Sequence, residues 1–174
     1  MISDYLLQAG RFLLLTLIQI LIINNIQING YINPYLYILF ILMLPFETPV
    51  AVMLFAGLFL GLAIDLFLDT AGLHASASVL TAYLRKPVLR IFSPREGYDT
   101  TTFPSLHYLG FTWFAGYAAI LVTIHHLAFF ILEAFHFTEL PATLMRAGSS
   151  ILLTLFVIFL YQMLMHKPGE RKKT

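Results

Sequence analysis

The chain has 174 residues with a net charge of +1; 59% are hydrophobic, 11% are charged, and mean hydropathy is +0.83. A soluble domain is about 45–50% apolar and about 25% charged, so composition excludes an ordinary soluble fold and points to one integral membrane domain over residues 1–174. Cysteine is absent, which excludes disulfides, thiolate metal sites and a cysteine nucleophile.

Crossing a bilayer as a helix takes about 20 apolar residues. The first predicted span covers residues 5–23; no small-x-small cleavage site follows it, so it reads as a retained helix rather than a signal. The second covers 34–46, with Pro34 placed in a first helical turn, and is short. It is expected to kink or break through Pro45 and Pro49. The third covers 50–68. The fourth covers 73–84 and is expected to extend to Phe92 as an interfacial helix, because Val88, Leu89, Ile91 and Phe92 alternate with Lys86 and Arg90. The fifth covers 106–132, opening near Pro104, and the sixth covers 141–165, with Pro141 as a helix starter. These segments imply an all-α membrane protein, a single compact bundle of about six transmembrane helices.

Basic residues set the expected orientation. Arg85, Lys86, Arg90 and Arg95 lie in a basic loop, 85–104, and Lys167, Arg171, Lys172 and Lys173 lie in a tail, 166–174. These are eight of the ten Lys and Arg residues, and two spans separate the groups. Both groups, and both termini, are therefore expected on the cytoplasmic face. The opposite connections, NNIQINGYIN, DTAGLHAS and EAFHFTEL, hold no Lys or Arg.

The third span raises the sharpest chemical question. GLFLGLAIDLFLDTAG places Gly57, Gly61, Asp65 and Asp69 four residues apart. Each step drifts only about 40° around a helix, so the four share one stripe. Glycines at that spacing admit a neighbouring helix, which directs the acids inward. An acid at the bilayer centre costs roughly 2.5–3.5 kcal/mol. Three roles stand: a catalytic or metal-binding pair, an ion or proton relay, and a structural pair or cap. Gly61, Asp65 and Asp69 resemble the second half of the motif of CDP-alcohol phosphotransferases, Asp-Gly-x2-Ala-Arg-x8-Gly-x3-Asp-x3-Asp. Glu47-Thr48 and Ala51-Val52 stand where that motif needs Asp-Gly and Ala-Arg, so only Ala51 fits and the enzyme reading fails. For the structural role, Arg146 is the expected partner of Asp65 or Asp69. Counted by helical rise from the outer ends, Arg146 lies about 8 Å deep and Asp65 about 6 Å. The alternative is an Arg146 that snorkels to the interface.

Other residues carry less. His125-His126 and His136 are expected as interfacial histidines rather than metal ligands. Ser105 and His107 lack a nucleophile elbow and are expected to begin the fifth span. Aromatic residues are read as packing and interface belts, with no nucleic-acid surface. The expectation is thus no catalytic residue, no cofactor and no metal.

One resemblance remains. GLFLGLAIDLFLDTAGLHASASVLTAYLRKPVLRIFSP resembles the hallmark region of the MreD family, rod-shape-determining membrane proteins of bacteria. The matching positions are Gly57, Gly61, Asp65, Gly72 and Ala82-Tyr83-Leu84-Arg85. The resemblance implies a fold similar to the substrate-binding S-components of energy-coupling-factor transporters. It also implies a non-catalytic role in the inner membrane, binding the periplasm-facing scaffold MreC. Through it the protein works with the actin-like MreB, the glycosyltransferase RodA and a penicillin-binding transpeptidase in cell elongation and peptidoglycan synthesis. The alternative is a substrate-capture S-component for small-molecule, vitamin-like uptake. The first helix, LLQAGRFLLLTLIQIL, lacks the small-xxx-small pair such a subunit uses to dock.

Overall fold

A computed structural model of the chain describes residues 2–25, 32–99, 102–134 and 140–165. The basic tail, His136 and the middle parts of the connections at 26–31 and 135–139 lie outside the described residues.

Those residues form α1 (Ile2–Leu21), a 3-10 turn (Ile23–Asn25), α2 (Ile38–Leu42), α3 (Val50–Leu68), α4 (Leu73–Ile91), α5 (Leu106–Leu109), α6 (Phe111–Ala134) and α7 (Leu140–Leu164). The architecture is all-helical among the described residues. Four segments are long and apolar enough to cross a membrane, Leu6–Asn25, Val50–Leu68, Phe111–Ala134 and Leu140–Leu164, the mark of a membrane protein. They coincide closely with the first, third, fifth and sixth predicted spans. Pro141 sits in the first turn of α7 as expected, and Pro49, expected as a kink or break after the second segment, stands at the N-cap of α3. Outward faces carry large apolar side chains, among them Leu13 and Leu17 of α1, Phe55 and Phe59 of α3, and Leu152 and Phe156 of α7. A helix that turns apolar residues outward is matched to lipid rather than water.

The other two segments differ from expectation. The fourth is one continuous helix to Ile91, not a short span plus an interfacial piece. It packs between α3 and α6, with Val88, Leu89 and Arg85 buried. The exposed basic loop therefore starts after Ile91 rather than at Arg85. Hydropathy underrates α4 because its polar face, His74, Ser78, Thr81 and Arg85, is turned inward.

The second segment is helical for only five residues, and Pro34 precedes that helix by four positions rather than opening it. Yet every residue from Pro34 to Leu44 is buried. The strand of chain enters beside Ser150 of α7, since Asn33 N–H donates to Ser150 Oγ at 3.2 Å. It leaves beside Gln162, whose amide meets Met43 Sδ at 2.9 Å. Twelve residues of helix separate Ser150 from Gln162, about 18 Å at helical rise. An irregular peptide thus runs through the middle of the bundle. Such backbone is tolerated at membrane depth only when protein surrounds it and supplies its hydrogen bonds.

Candidate functional site

The α3–α4 turn marks one end of the bundle, here the upper end. Gly57 and Gly61 face α4 as the stripe predicts. A Cβ on Gly61 would stand 2.3 Å from Ala75 Cα, and one on Gly57 3.0 Å from the Ser78 carbonyl oxygen. No side chain fits at Gly61 while the helices stay this close. The turn itself bends through Asp69, Ala71 and Gly72, with φ of 56°, 34° and 88°. Asp69 closes α3 in the left-handed region, where short polar side chains are tolerated. It is exposed, so it does not share the buried setting of Asp65.

Asp65 is buried and points at the first turn of α4. Oδ1 accepts from Thr70 Oγ1 at 2.6 Å, from the His74 backbone N–H at 3.0 Å and from His74 Nδ1 at 3.0 Å. Oδ2 accepts from the Ala75 N–H at 2.9 Å. The first N–H groups of a helix have no partner within it. Here Leu73 donates to the Thr70 carbonyl, Ser76 to the Gly72 carbonyl, and His74 and Ala75 to Asp65, so that turn is fully satisfied. Asp65 is a cap for α4, delivered by α3, and a negative charge is favoured at that position. The expected partner differs: Arg146 pairs with Glu133, Nη2 to Oε2 at 3.3 Å, and lies over the Phe130 ring at 5.2 Å. The reason is geometric. Asp65 already receives four donors from its own turn, and α7 meets α6 rather than α3.

Below Asp65 lies a polar aromatic core that the sequence reading did not anticipate. His74, His125 and His126 are all buried, as are Tyr35, Tyr37 and Phe129. His125 and His126 are therefore interior residues, not interfacial ones. Tyr37 Oη meets His125 Nε2 at 2.8 Å. A second chain of bonds has its proton positions fixed by its ends. The Tyr35 N–H donates to Thr154 Oγ1 at 3.0 Å, Thr154 lies 3.0 Å from His126 Nε2, and His126 Nδ1 lies 2.9 Å from the Val122 carbonyl. A carbonyl only accepts, so Nδ1 carries the proton and Nε2 accepts from Thr154. A readable signal was present. Phe114, Tyr117, Leu121, His125 and Phe129 recur every three or four residues on α6, the spacing of one inward face.

The same side chains hold the irregular peptide. Gln19 of α1 donates to the Pro34 carbonyl at 3.0 Å and accepts from the Tyr37 N–H at 3.3 Å. Lower down, Tyr117 donates to the Leu42 carbonyl at 2.9 Å. Arg85 is completely buried. Its guanidinium donates to the Leu44 and Pro45 carbonyls, to Tyr117 Oη at 3.0 Å and to Met53 Sδ at 3.2 Å. Among the described residues none of these partners is a carboxylate. The charge sits against carbonyls just past α2, where a cation is favoured; the Pro45 carbonyl also accepts from the Thr48 N–H and hydroxyl.

At the upper end a partly open cleft of about 160 Å³ lies between the 3-10 turn, the entry of the irregular peptide, the α3–α4 turn and α6. His74, Tyr35, Thr70, Phe129 and Glu133 line it. Among the described residues no three His, Asp or Glu side chains come together in a metal-holding group.

The chain matches no protein-family model, no curated protein and no solved structure.

Proposed function

We propose that this chain is a non-catalytic inner-membrane subunit of the bacterial cell-elongation machinery, of the kind that the MreD resemblance implies. It would seat an MreC-like scaffold on the periplasmic side and act through it with the MreB-like filament, the RodA-like glycosyltransferase and the penicillin-binding transpeptidase. Both termini would be cytoplasmic. One observation carries the reading: the residues behind the resemblance belong to one structural unit. Gly57, Gly61 and Asp65 of α3, Gly72 of the turn, and Ala82 and Arg85 of α4 belong to one helix pair, joined at the top by Asp65 and lower down by Arg85 on Met53 Sδ of α3. The buried charges support a scaffold role as well. Asp65 and Arg85 direct their hydrogen bonds to backbone groups and to neighbouring Thr, His, Tyr and Met side chains, which leaves neither as an open acid, base or nucleophile.

Affinity purification of the full chain from native membranes tests this. Recovery of MreC-like and wall-synthesis proteins, together with rounding of depleted cells, is the expected result. Recovery of transporter ATPases with unchanged cell shape would replace the reading with the substrate-capture alternative.

A further inference from the structure

The outward face of α4 changes character along its length. Ser76, Leu80, Tyr83, Pro87 and Arg90 recur every three or four residues, share one stripe and are all exposed. Leu80, 40% exposed, is apolar, as suits an acyl chain. Tyr83, 58% exposed, stands about one turn lower and is a residue type enriched where a membrane meets water. Below it, in the last turn and a half of the helix, come two cations, Lys86 and Arg90.

Lys86 and Arg90 are four residues apart, so their side chains are neighbours on the helix surface. Like charges at this spacing repel. Arg90 is exposed and Lys86 partly exposed, and among the described residues neither makes an ion pair or a hydrogen bond. Arg85 of the same helix is the opposite case, turned inward and fully bonded to Tyr117, Met53 and two carbonyls. The outward pair therefore lacks an anion, and the stripe above it restricts the source. A soluble anion would meet the two charges alone. A lipid phosphate can lie between them while its acyl chain runs up past Tyr83 to Leu80, and the long stems of Lys and Arg let their heads reach that level.

We propose that the lower end of α4 binds the phosphodiester headgroup of one anionic phospholipid. The Lys86 ammonium and the Arg90 guanidinium clamp the phosphate, Arg90 through the fork of N–H donors that suits two of its oxygens. Tyr83 flanks the start of the acyl chains and Leu80 carries one of them. The site uses only side chains of this chain, holds whichever side of the membrane the lower end faces, and does not depend on the scaffold partner named above.

The test uses the full chain, delipidated in detergent micelles and titrated with phosphatidylglycerol or with phosphatidylcholine of the same acyl chains, bound lipid being counted by native mass spectrometry. Phosphatidylglycerol is expected to bind at least tenfold more tightly than phosphatidylcholine. The double variant Lys86→Gln, Arg90→Gln replaces outward side chains only and is expected to remove that preference, while Arg90→Lys keeps most of it. Arg95→Gln removes a like charge from the exposed loop below the helix and is expected to leave the affinity unchanged. Excess inorganic phosphate is expected not to displace the lipid. Equal affinity for the two lipids, a preference that survives the double variant, a loss from Arg95→Gln as large as that from the double variant, or displacement by inorganic phosphate would each overturn the proposal.

Discussion

Asp65 is held by four donors from one turn of chain, and removing its carboxylate strands two backbone donors in a buried setting, the His74 and Ala75 N–H groups, while the Thr70 hydroxyl keeps His74 Nδ1 at 2.9 Å. Asp65→Ala is expected to cost about 3 kcal/mol, as for breaking a buried charge-assisted set. Arg146→Gln removes a partly exposed pair and is expected to cost about 0–1 kcal/mol. Because the two residues belong to different networks, the double mutant should equal the sum to within about 0.5 kcal/mol. Unfolding in detergent micelles measures all three, and a larger coupling term would return Arg146 to Asp65. The inward direction of Asp65 and its need for a partner were legible from glycine spacing alone. The partner was not, because the N-cap of α4 is Gly72, with no capping side chain of its own, and its cap comes from the preceding helix. His125 and His126 were misread for a related reason. Their position near the end of a span suggested an interface, while the spacing of their aromatic neighbours on α6 placed them inside.

At the scale of elements, the α3–α4 pair is set by Gly61. Gly61→Ala puts a methyl group onto the Ala75 backbone, which cannot move without parting the helices. A loss of about 1–3 kcal/mol is expected. Parting the helices would also pull Asp65 from the α4 cap, so thermal unfolding should show Gly61→Ala and Asp65→Ala as less than additive. The irregular peptide predicts a second effect. Tyr117→Phe removes the only described side-chain donor to the Leu42 carbonyl and one acceptor of Arg85. A loss of about 1–3 kcal/mol is expected for a buried group left unpaired, read as a lower unfolding midpoint in micelles. Hydropathy located α1, α3, α6 and α7 because each turns an apolar face outward. It misjudged the second segment, an apolar run too short to span as a helix, because that run is surrounded by protein on every side. It misjudged α4 because polar residues facing a polar interior look, in sequence, like residues facing water.

For the whole molecule, apolar side chains cover the outer faces while polar ones gather inside. The interior polarity has a definite task. Seven backbone groups between Asn33 and Pro45 are satisfied by side chains of α1, α4, α6 and α7. Left unpaired in an apolar medium, each would cost about 4–8 kcal/mol on a water-to-cyclohexane scale. The polar residues of four helices thus make an irregular central peptide possible, and that peptide in turn ties those helices together. The shortness of the run sets it apart from a spanning helix, but nothing in composition or periodicity places it inside the bundle.

Amide hydrogen exchange of Tyr35 and Tyr37, in the full chain in nanodiscs, tests that central peptide most directly. Neither N–H is bonded within a helix; one donates to Thr154 and the other to Gln19. Both amides are expected to exchange as slowly as those of the α3 core, and Thr154→Val is expected to accelerate Tyr35 at least tenfold. Exchange of Tyr35 and Tyr37 as fast as that of exposed residues 93–97, or protection of Tyr35 that survives Thr154→Val, would contradict the account.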